Sequence, residues 1–262
     1  MRIALASEAG RAGARNDDWA GATAAGVAVV LDGLTEDGPT GCVHGTGWYV
    51  HQLGSRLLTL AGEPSRPLGE ILGSAIGNVA RLHGDRCDLT HPGSPAATVA
   101  MLRPRGTDGF EYLVLSDAVA VFDTGPEPFV VTDRRVLQQL PELSAPAAGG
   151  TPEALGRLIQ AQQRIRNRPG GYWVAQHDPL AARHAVSGTV DAATGAALLS
   201  DGAAVAVLEF AALTWRELLE VAYAAGPIDV IALTREVERR DADRVVWPRF
   251  KTHDDATVIT VR

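Results

Sequence analysis

The chain has 262 residues, 46% of them hydrophobic, which is enough apolar material for one well-covered core, and we predict a single domain over residues 1–262. A formal net charge of −7 argues against a nucleic-acid partner, because such partners are normally held by a basic surface. No apolar run approaches the ~20 residues of a membrane-spanning helix and no signal-peptide pattern opens the chain, so we expect a cytoplasmic protein without a membrane partner.

The first third of the chain predicts strands followed by two helices. An extended start at residues 2–7 and a polar turn at 15–18 precede an apolar run at 26–31, which has the pattern of a buried strand. Helical periodicity then predicts two helices, at residues 48–60 and 68–82.

The middle of the chain is dense in short strands with the spacing of antiparallel hairpins. Four strands are predicted, at residues 97–102, 112–115, 118–122 and 129–132. The Pro/Ala/Gly-rich segment 141–152 predicts a surface loop, and a helical pattern resumes at 153–166.

The last third predicts further strands and helices. Strands are expected at 186–190, 196–200 and 256–261, and helices at 215–225 and 228–240. This order lacks the strict alternation of strand and helix that is typical of a parallel doubly wound sheet. We therefore predict an α+β fold with two antiparallel sheets and helices outside them.

Aspartates stand at the polar ends of several predicted strands. They are Asp17-Asp18, Asp32, Asp117, Asp201 and Asp254. Each one alone is ordinary turn chemistry, but strand ends that meet in space would gather carboxylates whose mutual repulsion is unfavourable unless a cation offsets it. Oxygen ligands without cysteine favour Mg²⁺ or Mn²⁺. A pair of such ions can deprotonate a water and hold a phosphoryl oxygen, which is the chemistry of phosphate ester hydrolysis.

Six short motifs follow one another along the chain. They are Asn16-Asp17-Asp18, Val30-Leu31-Asp32-Gly33, Gly93-Ser94-Pro95-Ala96-Ala97-Thr98, Ser116-Asp117-Ala118, Leu198-Leu199-Ser200-Asp201-Gly202 and Asp254-Asp255-Ala256-Thr257. In this order they resemble the motifs of the metal-dependent protein phosphatases of type 2C, over essentially the whole chain. The resemblance implies the four-layer α-β-β-α sandwich of that family, and hydrolysis of phosphoserine or phosphothreonine in proteins by a metal-activated water, without a phosphoenzyme.

The resemblance also implies a set of metal ligands. Asp32 would bridge two Mn²⁺ or Mg²⁺ ions and serve catalysis. The other ligands would be Asp201 and Asp254 on the first ion, Asp17 and the Gly33 carbonyl on the second, and Asp117 on a third, weaker ion. The implied partners are a phosphorylated protein substrate and a cognate Ser/Thr kinase, in a signalling role.

The chain departs from the family pattern at the phosphate-binding arginine. That arginine would stand four residues before Asp17, where this chain has Gly13. We assign its role to Arg15 and not to Arg11, because residues two apart share one face of an extended stretch. The departure leaves two alternatives: a catalytically weak or inactive phosphatase-like regulatory binding module, and a phosphatase of small phosphate esters.

The two cysteines, Cys42 and Cys87, make neither a disulfide framework nor the four-ligand set of a structural zinc site. We therefore predict reduced, buried thiols. Two histidine pairs lie seven residues apart, His44 with His51 and His177 with His184. No zinc-protease motif accompanies them, and we predict surface or partly buried histidines.

Overall fold

The computed structural model describes residues 1–148 and 151–262. Its strands are β1 (Ile3–Glu8), β2 (Trp19–Ala22), β3 (Ala28–Gly33), β4 (Ala97–Arg105), β5 (Gly109–Leu115), β6 (Val119–Phe122), β7 (Phe129–Val131), β8 (Val186–Val190), β9 (Ala196–Leu199) and β10 (Ala256–Val261). Its helices are α1 (Thr46–Leu60), α2 (Leu68–Leu82), α3 (Arg135–Gln138), α4 (Pro141–Ala147), α5 (Pro152–Ile165), α6 (Asp201–Leu208), α7 (Trp215–Ala224) and α8 (Pro227–Arg240), with 3₁₀ turns at Gly84–Arg86 and Pro179–His184. Among the described residues, no helix combines the length and apolar character needed to cross a membrane.

The strands form two antiparallel five-stranded sheets. One has the order β1-β10-β9-β6-β7 and the other the order β2-β3-β4-β5-β8. The sheets pack face to face, with α1 and α2 on the outer face of one sheet and α6, α7 and α8 on the outer face of the other. The predicted α-β-β-α sandwich is confirmed.

Strand β3 has a continuous apolar sequence because both of its faces are buried. Val29 and Leu31 pack on the side of α1 and α2, whereas Ala28 and Val30 pack against the facing sheet. A strand buried on both faces needs apolar side chains at every position. Burying each Val or Leu contributes about 1.5–3 kcal/mol, so β3 is held firmly in register and fixes the position of Asp32 near its end.

Helix α2 follows the helical periodicity of its sequence. Its fully buried side chains recur three and four residues apart: Leu68, Ile71, Leu72, Ile76 and Val79. This face packs on the sheet together with α1. The helix predicted at 68–82 is confirmed with its limits, as are the strands at 186–190 and 256–261.

The surface loop predicted at 141–152 is wrong over its first half. Pro141 is the first residue of α4, a position where proline is favourable because the first helical N–H has no intrahelical partner. The segment is too short to show helical periodicity, and its prolines led to the loop prediction. Residues 149 and 150 lie outside the described residues.

The elements that were not predicted include strand β2 and helix α6. Strand β2 is only four residues long and contains Gly21, which is depleted in strands. Helix α6 begins at Asp201 directly after β9 and is built of Ala, Val and Gly with little polar contrast between its faces. Both elements border the aspartates described next.

Candidate metal centre

Five aspartates gather at one end of the sandwich because each stands at or near the end of a strand. They are Asp18 before β2, Asp32 in β3, Asp117 before β6, Asp201 after β9 and Asp254 before β10. Strand β9 is antiparallel to both β6 and β10, so its carboxyl end lies beside their amino ends. We call this group the acidic centre.

Two adjoining cavities, of about 530 and 150 Å³, open at the acidic centre. Asp117, Asp201 and Asp254 line both cavities, and Asp32 and Gly33 line the smaller one. The structure thus brings five of the six residues that were predicted as metal ligands around one space.

The register of β2 and β3 decides which of the neighbouring aspartates Asp17 and Asp18 faces the acidic centre. Trp19 pairs with Leu31, so continuing the ladder by one residue places Asp18 opposite Asp32. Opposed residues of adjacent strands point to the same side, and successive residues alternate. Asp18 is 8% exposed, and neither of its carboxylate oxygens has a hydrogen-bond partner.

Burial and mutual repulsion make these carboxylates hard to ionise. Burial raises the pKa of Asp18 to about 8, and the charges of Asp201 and Asp254 act in the same direction, against the neighbouring hydroxyls of Thr257 and Ser200. A buried carboxylate without partners favours its neutral form. The protein therefore holds negative charge here only at a cost in free energy.

Asp32 and Asp117 are in the same situation. Burial, together with the charges of Asp201, Asp18 and Asp254, raises the pKa of Asp32 well above its ordinary value. Burial and the Asp201 charge raise the pKa of Asp117 to about 7. A cation placed among these groups would remove the repulsion that raises each pKa.

Two glycines let the backbone approach closely at the centre. A Cβ atom at position 202 would lie 2.1 Å from the carbonyl oxygen of Asp255, and one at position 33 would lie 2.5 Å from that of Asp17. Such distances are far inside van der Waals contact. Gly202 and Gly33 are therefore required where β9 meets the start of β10 and where β3 ends beside Asp17.

Known structures share this architecture. The PPM Ser-Thr phosphatase MsPP from Mycobacterium smegmatis, in complex with cacodylate, aligns with a TM-score of 0.58 and 20% identity over 99% of this chain and 97% of its own. The catalytic domain of the serine/threonine protein phosphatase PstP, in complex with two manganese ions, aligns at 0.57 and 14% over 99% and 96%. PppA of Pseudomonas aeruginosa, a regulatory component of the type VI secretion system, aligns at 0.59 and 16% over 100% and 96%. The fold is that of the type 2C protein phosphatases.

The type 2C fold is established here by structure and not by sequence. No sequence model of a known family matches the chain, and no curated protein matches it either. Identities of 14–20% with these structures show a shared fold and leave the chemistry to be argued from the residues of this chain.

The residues at this end of the type 2C fold fit hard divalent cations. The centre offers carboxylate oxygens from both sheets, and the two buried oxygens of Asp18 have no partner in the described chain. Mg²⁺ and Mn²⁺ prefer such oxygen ligands. Divalent charge would also offset the repulsion that raises the pKa of Asp32.

Asp17 and Arg15 lie beside the centre, next to Gly33. The Arg15 Nε is 3.0 Å from Asp17 Oδ1, and the Asp17 backbone N–H donates to Asp255 Oδ2 at 2.7 Å. The Arg15 guanidinium lies over the start of α1, where a Cβ at Gly47 would be 2.4 Å from it. Neither side chain lines the two cavities, and the predicted roles of Asp17 as a ligand and Arg15 as a phosphate-binding residue stay predictions.

Lys251 is a residue of the centre that sequence reasoning missed. Its ammonium donates to Asp254 Oδ1 at 2.6 Å, and it lines both cavities. Burial opposes its charge, but Asp254, Asp32 and Asp201 outweigh burial and raise the pKa of Lys251. The available signal was composition, because this is the sole lysine among 24 basic residues.

The larger cavity contains a second cation that the sequence did not indicate. Arg134 lines it together with Glu209, and the two side chains form an ion pair at 3.4 Å. The Arg134 charge counteracts the rise in the pKa of Asp117. Ser144 and Ala145 of α4 form part of the wall, so the segment predicted to be a loop encloses this cavity.

Proposed function

We propose that this protein is a phosphatase that hydrolyses phosphoserine or phosphothreonine in proteins and depends on Mn²⁺ or Mg²⁺. The observation that carries the proposal is the convergence of Asp32, Asp117, Asp201 and Asp254 on one pair of cavities, with the oxygens of the neighbouring Asp18 buried and unpartnered. A structural cluster of this kind would be satisfied by the chain itself, as buried polar groups normally are.

The residues proposed to hold the ions are those of the acidic centre with Gly33 and Asp17. Asp32 would be shared between two ions, as the resemblance to the type 2C phosphatases implies, and the charges of Asp18, Asp201 and Asp254 all act on it. Asp17 and Gly33 lie next to each other at the edge of the centre. When bound, the ions supply positive charge for the phosphoryl oxygens and lower the pKa of water.

The chain's own cations are proposed to bind and orient the phosphoryl group. Lys251 and Arg134 line the larger cavity, and Arg15 lies outside it, paired with Asp17. A guanidinium donates two hydrogen bonds to a tetrahedral oxyanion, so Arg15 suits the oxygen that points away from the centre. The wall formed by α4 would restrict water around the ester.

The structural neighbours support the same substrate class. MsPP and PstP are Ser/Thr phosphatases, and the PstP structure contains two manganese ions. PppA is a regulatory component of a secretion system. A phosphorylated protein substrate and a signalling role for this chain are proposed on that likeness, and a cognate Ser/Thr kinase stays a prediction.

A second candidate function is a regulatory binding module with weak or no activity. The observation that favours it is the ion pair between Lys251 and Asp254, because a ligand carboxylate that is already neutralised by an ammonium binds a metal ion less readily. In this alternative, Lys251 replaces part of the metal charge. A phosphatase of small phosphate esters keeps the metal chemistry and changes only the substrate.

Phosphate release tests these candidates. The protein as a whole chain would be assayed with Mn²⁺ on an aryl phosphate, on phosphoserine and phosphothreonine peptides, and on nucleotides and sugar phosphates. We expect metal-dependent release with a preference for the phosphopeptides. Release from no substrate at millimolar Mn²⁺ would support the binding module, and release restricted to nucleotides or sugar phosphates would support the small-ester alternative.

A matched pair of variants makes the assay specific. Asp32→Asn removes a charge from the acidic centre, whereas Asp243→Asn removes a charge from an exposed position on the surface. We expect activity to be lost in the first and kept in the second. Equal activity in the two variants would contradict the proposed site.

A further inference from the structure

A second cluster of metal-binding side chains lies apart from the acidic centre, between the segment that precedes α1 and the end of α2. The Sγ atoms of Cys42 and Cys87 are 2.7 Å apart, and Cys42 Sγ is 3.3 Å from Nδ1 of His83. These three ligand atoms all lie within 4.8 Å of one another. Among residues 1–148 and 151–262, the acidic centre included, no other set of three His, Cys, Asp or Glu side chains converges so closely.

Burial and the neighbouring hydrogen bonds act in opposite directions on the charge of Cys42. Burial and the neighbouring Cys87 raise the pKa of the Cys42 thiol, whereas the backbone N–H of His44, which donates to Cys42 Sγ at 3.4 Å, favours negative charge on the sulfur. His83 is 3% exposed, and burial together with His44 and His177 lowers its pKa. The prediction of simple buried thiols is therefore incomplete, because both thiols are half-buried and in contact with each other and with a histidine.

Two more imidazoles lie near the cluster, outside the group of three close ligand atoms, and have nitrogens without a partner. His44 Nε2 and His177 Nδ1 are buried and have no hydrogen-bond partner in the structure. The His44 ring lies 5.5 Å from the His83 ring and stacks on Trp48 at 4.1 Å. Buried polar nitrogens without partners are uncommon, and a metal ion beside them would satisfy them.

The sequence spacing agrees with the geometry. The ligands form two close pairs, Cys42-x-His44 and His83-x₃-Cys87. Structural zinc sites take four Cys and His ligands in short-spaced pairs that come from two segments of chain. Counting cysteines alone hid this pattern, because each pair contains one cysteine and one histidine.

We propose that Cys42, His44, His83 and Cys87 form a structural site for Zn²⁺ or a similar thiophilic divalent ion. The two thiol protons would be released to solvent on binding, so two thiolates balance the charge of the ion and two neutral imidazoles complete a tetrahedral set. Softer sulfur and nitrogen ligands separate this site from the oxygen ligands of the acidic centre.

The site would stabilise the segment that connects β3 to α1. Residues 34–45 run from the end of β3, which carries Asp32, to the start of α1. Gly41 already contacts the Cys87 segment, since its carbonyl accepts the N–H of Asp88 at 2.8 Å. An ion at the cluster would link this connection to the end of α2. The ion would affect the stability and order of the connection, and this effect does not depend on the proposed phosphatase activity.

Metal analysis of the full-length protein tests the site directly. The protein would be produced in zinc-supplemented medium, purified under reducing conditions, and analysed for zinc by mass spectrometry. We expect one tightly held zinc ion per chain in the wild type and in His51→Ala, which changes an exposed histidine of α1. We expect the zinc to be lost in Cys87→Ser and in His83→Ala.

Co²⁺ and thiol titration keep the test independent of variant folding. Wild-type protein loaded with Co²⁺ should show a thiolate charge-transfer band and the intense visible bands of tetrahedral cobalt, and the zinc form should protect both cysteines from a thiol reagent until a chelator is added. Two freely reactive thiols without these bands would overturn the proposal. The intact mass of protein kept in reducing buffer gives a further check. A mass two hydrogen atoms below that of the reduced chain would also overturn the proposal, since it would mean a Cys42–Cys87 disulfide.

Discussion

The acidic centre and the segment around Asp241 have opposite effects on the ionisation of a buried carboxylate. Asp241 is 6% exposed and accepts hydrogen bonds from the backbone N–H groups of residues 245–247 and from the Arg249 guanidinium. Burial opposes its ionisation, but these donors outweigh burial and lower its pKa to about 2. Asp18 is 8% exposed, has no hydrogen-bond partner, and has a pKa raised to about 8.

This difference shows what the chain does when a buried charge serves structure alone. Around Asp241 every requirement of the carboxylate is met by the protein, as is normal for a buried ionised group. At the acidic centre the carboxylates repel one another. Among the described residues, the cation that donates to one of these carboxylates is Lys251, which bonds Asp254. The proposed metal ions would supply the positive charge that the chain does not provide here.

Neutralising an aspartate of the acidic centre gives the largest expected effect. Asp32→Asn should reduce metal-dependent phosphate release about a thousandfold, equivalent to about 4 kcal/mol of transition-state stabilisation, because it removes the carboxylate proposed to serve both ions. The metal-free variant should be as stable as wild type or more stable, since repulsion is relieved. Steady-state kinetics measure the first effect, and unfolding curves of chelator-treated protein measure the second. A large loss of stability in the metal-free variant would contradict the difference drawn between the acidic centre and Asp241.

Removing the partner of Asp241 should act on stability instead. The Arg249 side chain is 7% exposed, and Arg249→Met would leave the Asp241 carboxylate without its guanidinium, which should lower the free energy of unfolding clearly. Arg239→Met, in an arginine whose side chain is 64% exposed, is the matched control and should change little. Urea unfolding measures both, and equal effects would show that the Asp241 segment is not satisfied as described.

The two carboxylates should give opposite pH dependences to the metal-free protein. Asp18 binds its proton more tightly in the folded state, so it destabilises the fold progressively as pH rises from about 4 to about 8. Asp241 releases its proton more readily in the folded state, so the stability it contributes is present above about pH 4 and is lost as pH falls towards 2.

Urea unfolding between pH 4 and 8 in the presence of chelator measures the first slope. Asp18→Asn should flatten part of the fall in stability, whereas Asp243→Asn, at the surface, should leave it unchanged. A wild-type stability that does not fall over this range would mean that the carboxylates of the acidic centre are not strained without metal.

The smallest expected effect concerns Lys251. If its ammonium competes with a metal ion for Asp254, Lys251→Met should tighten Mn²⁺ binding about fivefold, corresponding to the ~1 kcal/mol of a partly exposed ion pair. Lys251→Arg keeps a cation and should bind Mn²⁺ as wild type does. Calorimetric titration with Mn²⁺ decides, and weaker binding in Lys251→Met would contradict this competition.

Much of the fold could be predicted because long apolar patterns determine it. Helix α2 and strand β10 have the limits that their periodicity predicts, and the aspartates next to strand ends could be identified before the strands were assembled. Strand β2 could not be predicted, because a four-residue stretch around Gly21 carries too little pattern. Without β2 there was no register with which to assign Asp17 and Asp18 to opposite faces.

Features that depend on distant parts of the chain were also missed. Lys251 gains its role from Asp254, Asp32 and Asp201, and nothing local to its sequence indicates that environment. The cluster of Cys42 and Cys87 needs the packing of α1 on α2 to bring residues 45 apart together. Sequence periodicity predicts elements well, whereas side-chain constellations follow only once the elements are packed.

Crystals of the protein grown with Mn²⁺ and measured at the manganese absorption edge test the central claim most directly. We predict anomalous peaks among Asp18, Asp32, Asp201 and Asp254, with the Lys251 ammonium displaced from Asp254. The result that would contradict the account is an acidic centre without anomalous signal at millimolar Mn²⁺, with Lys251 still bonded to Asp254 and the Asp18 oxygens still without a partner.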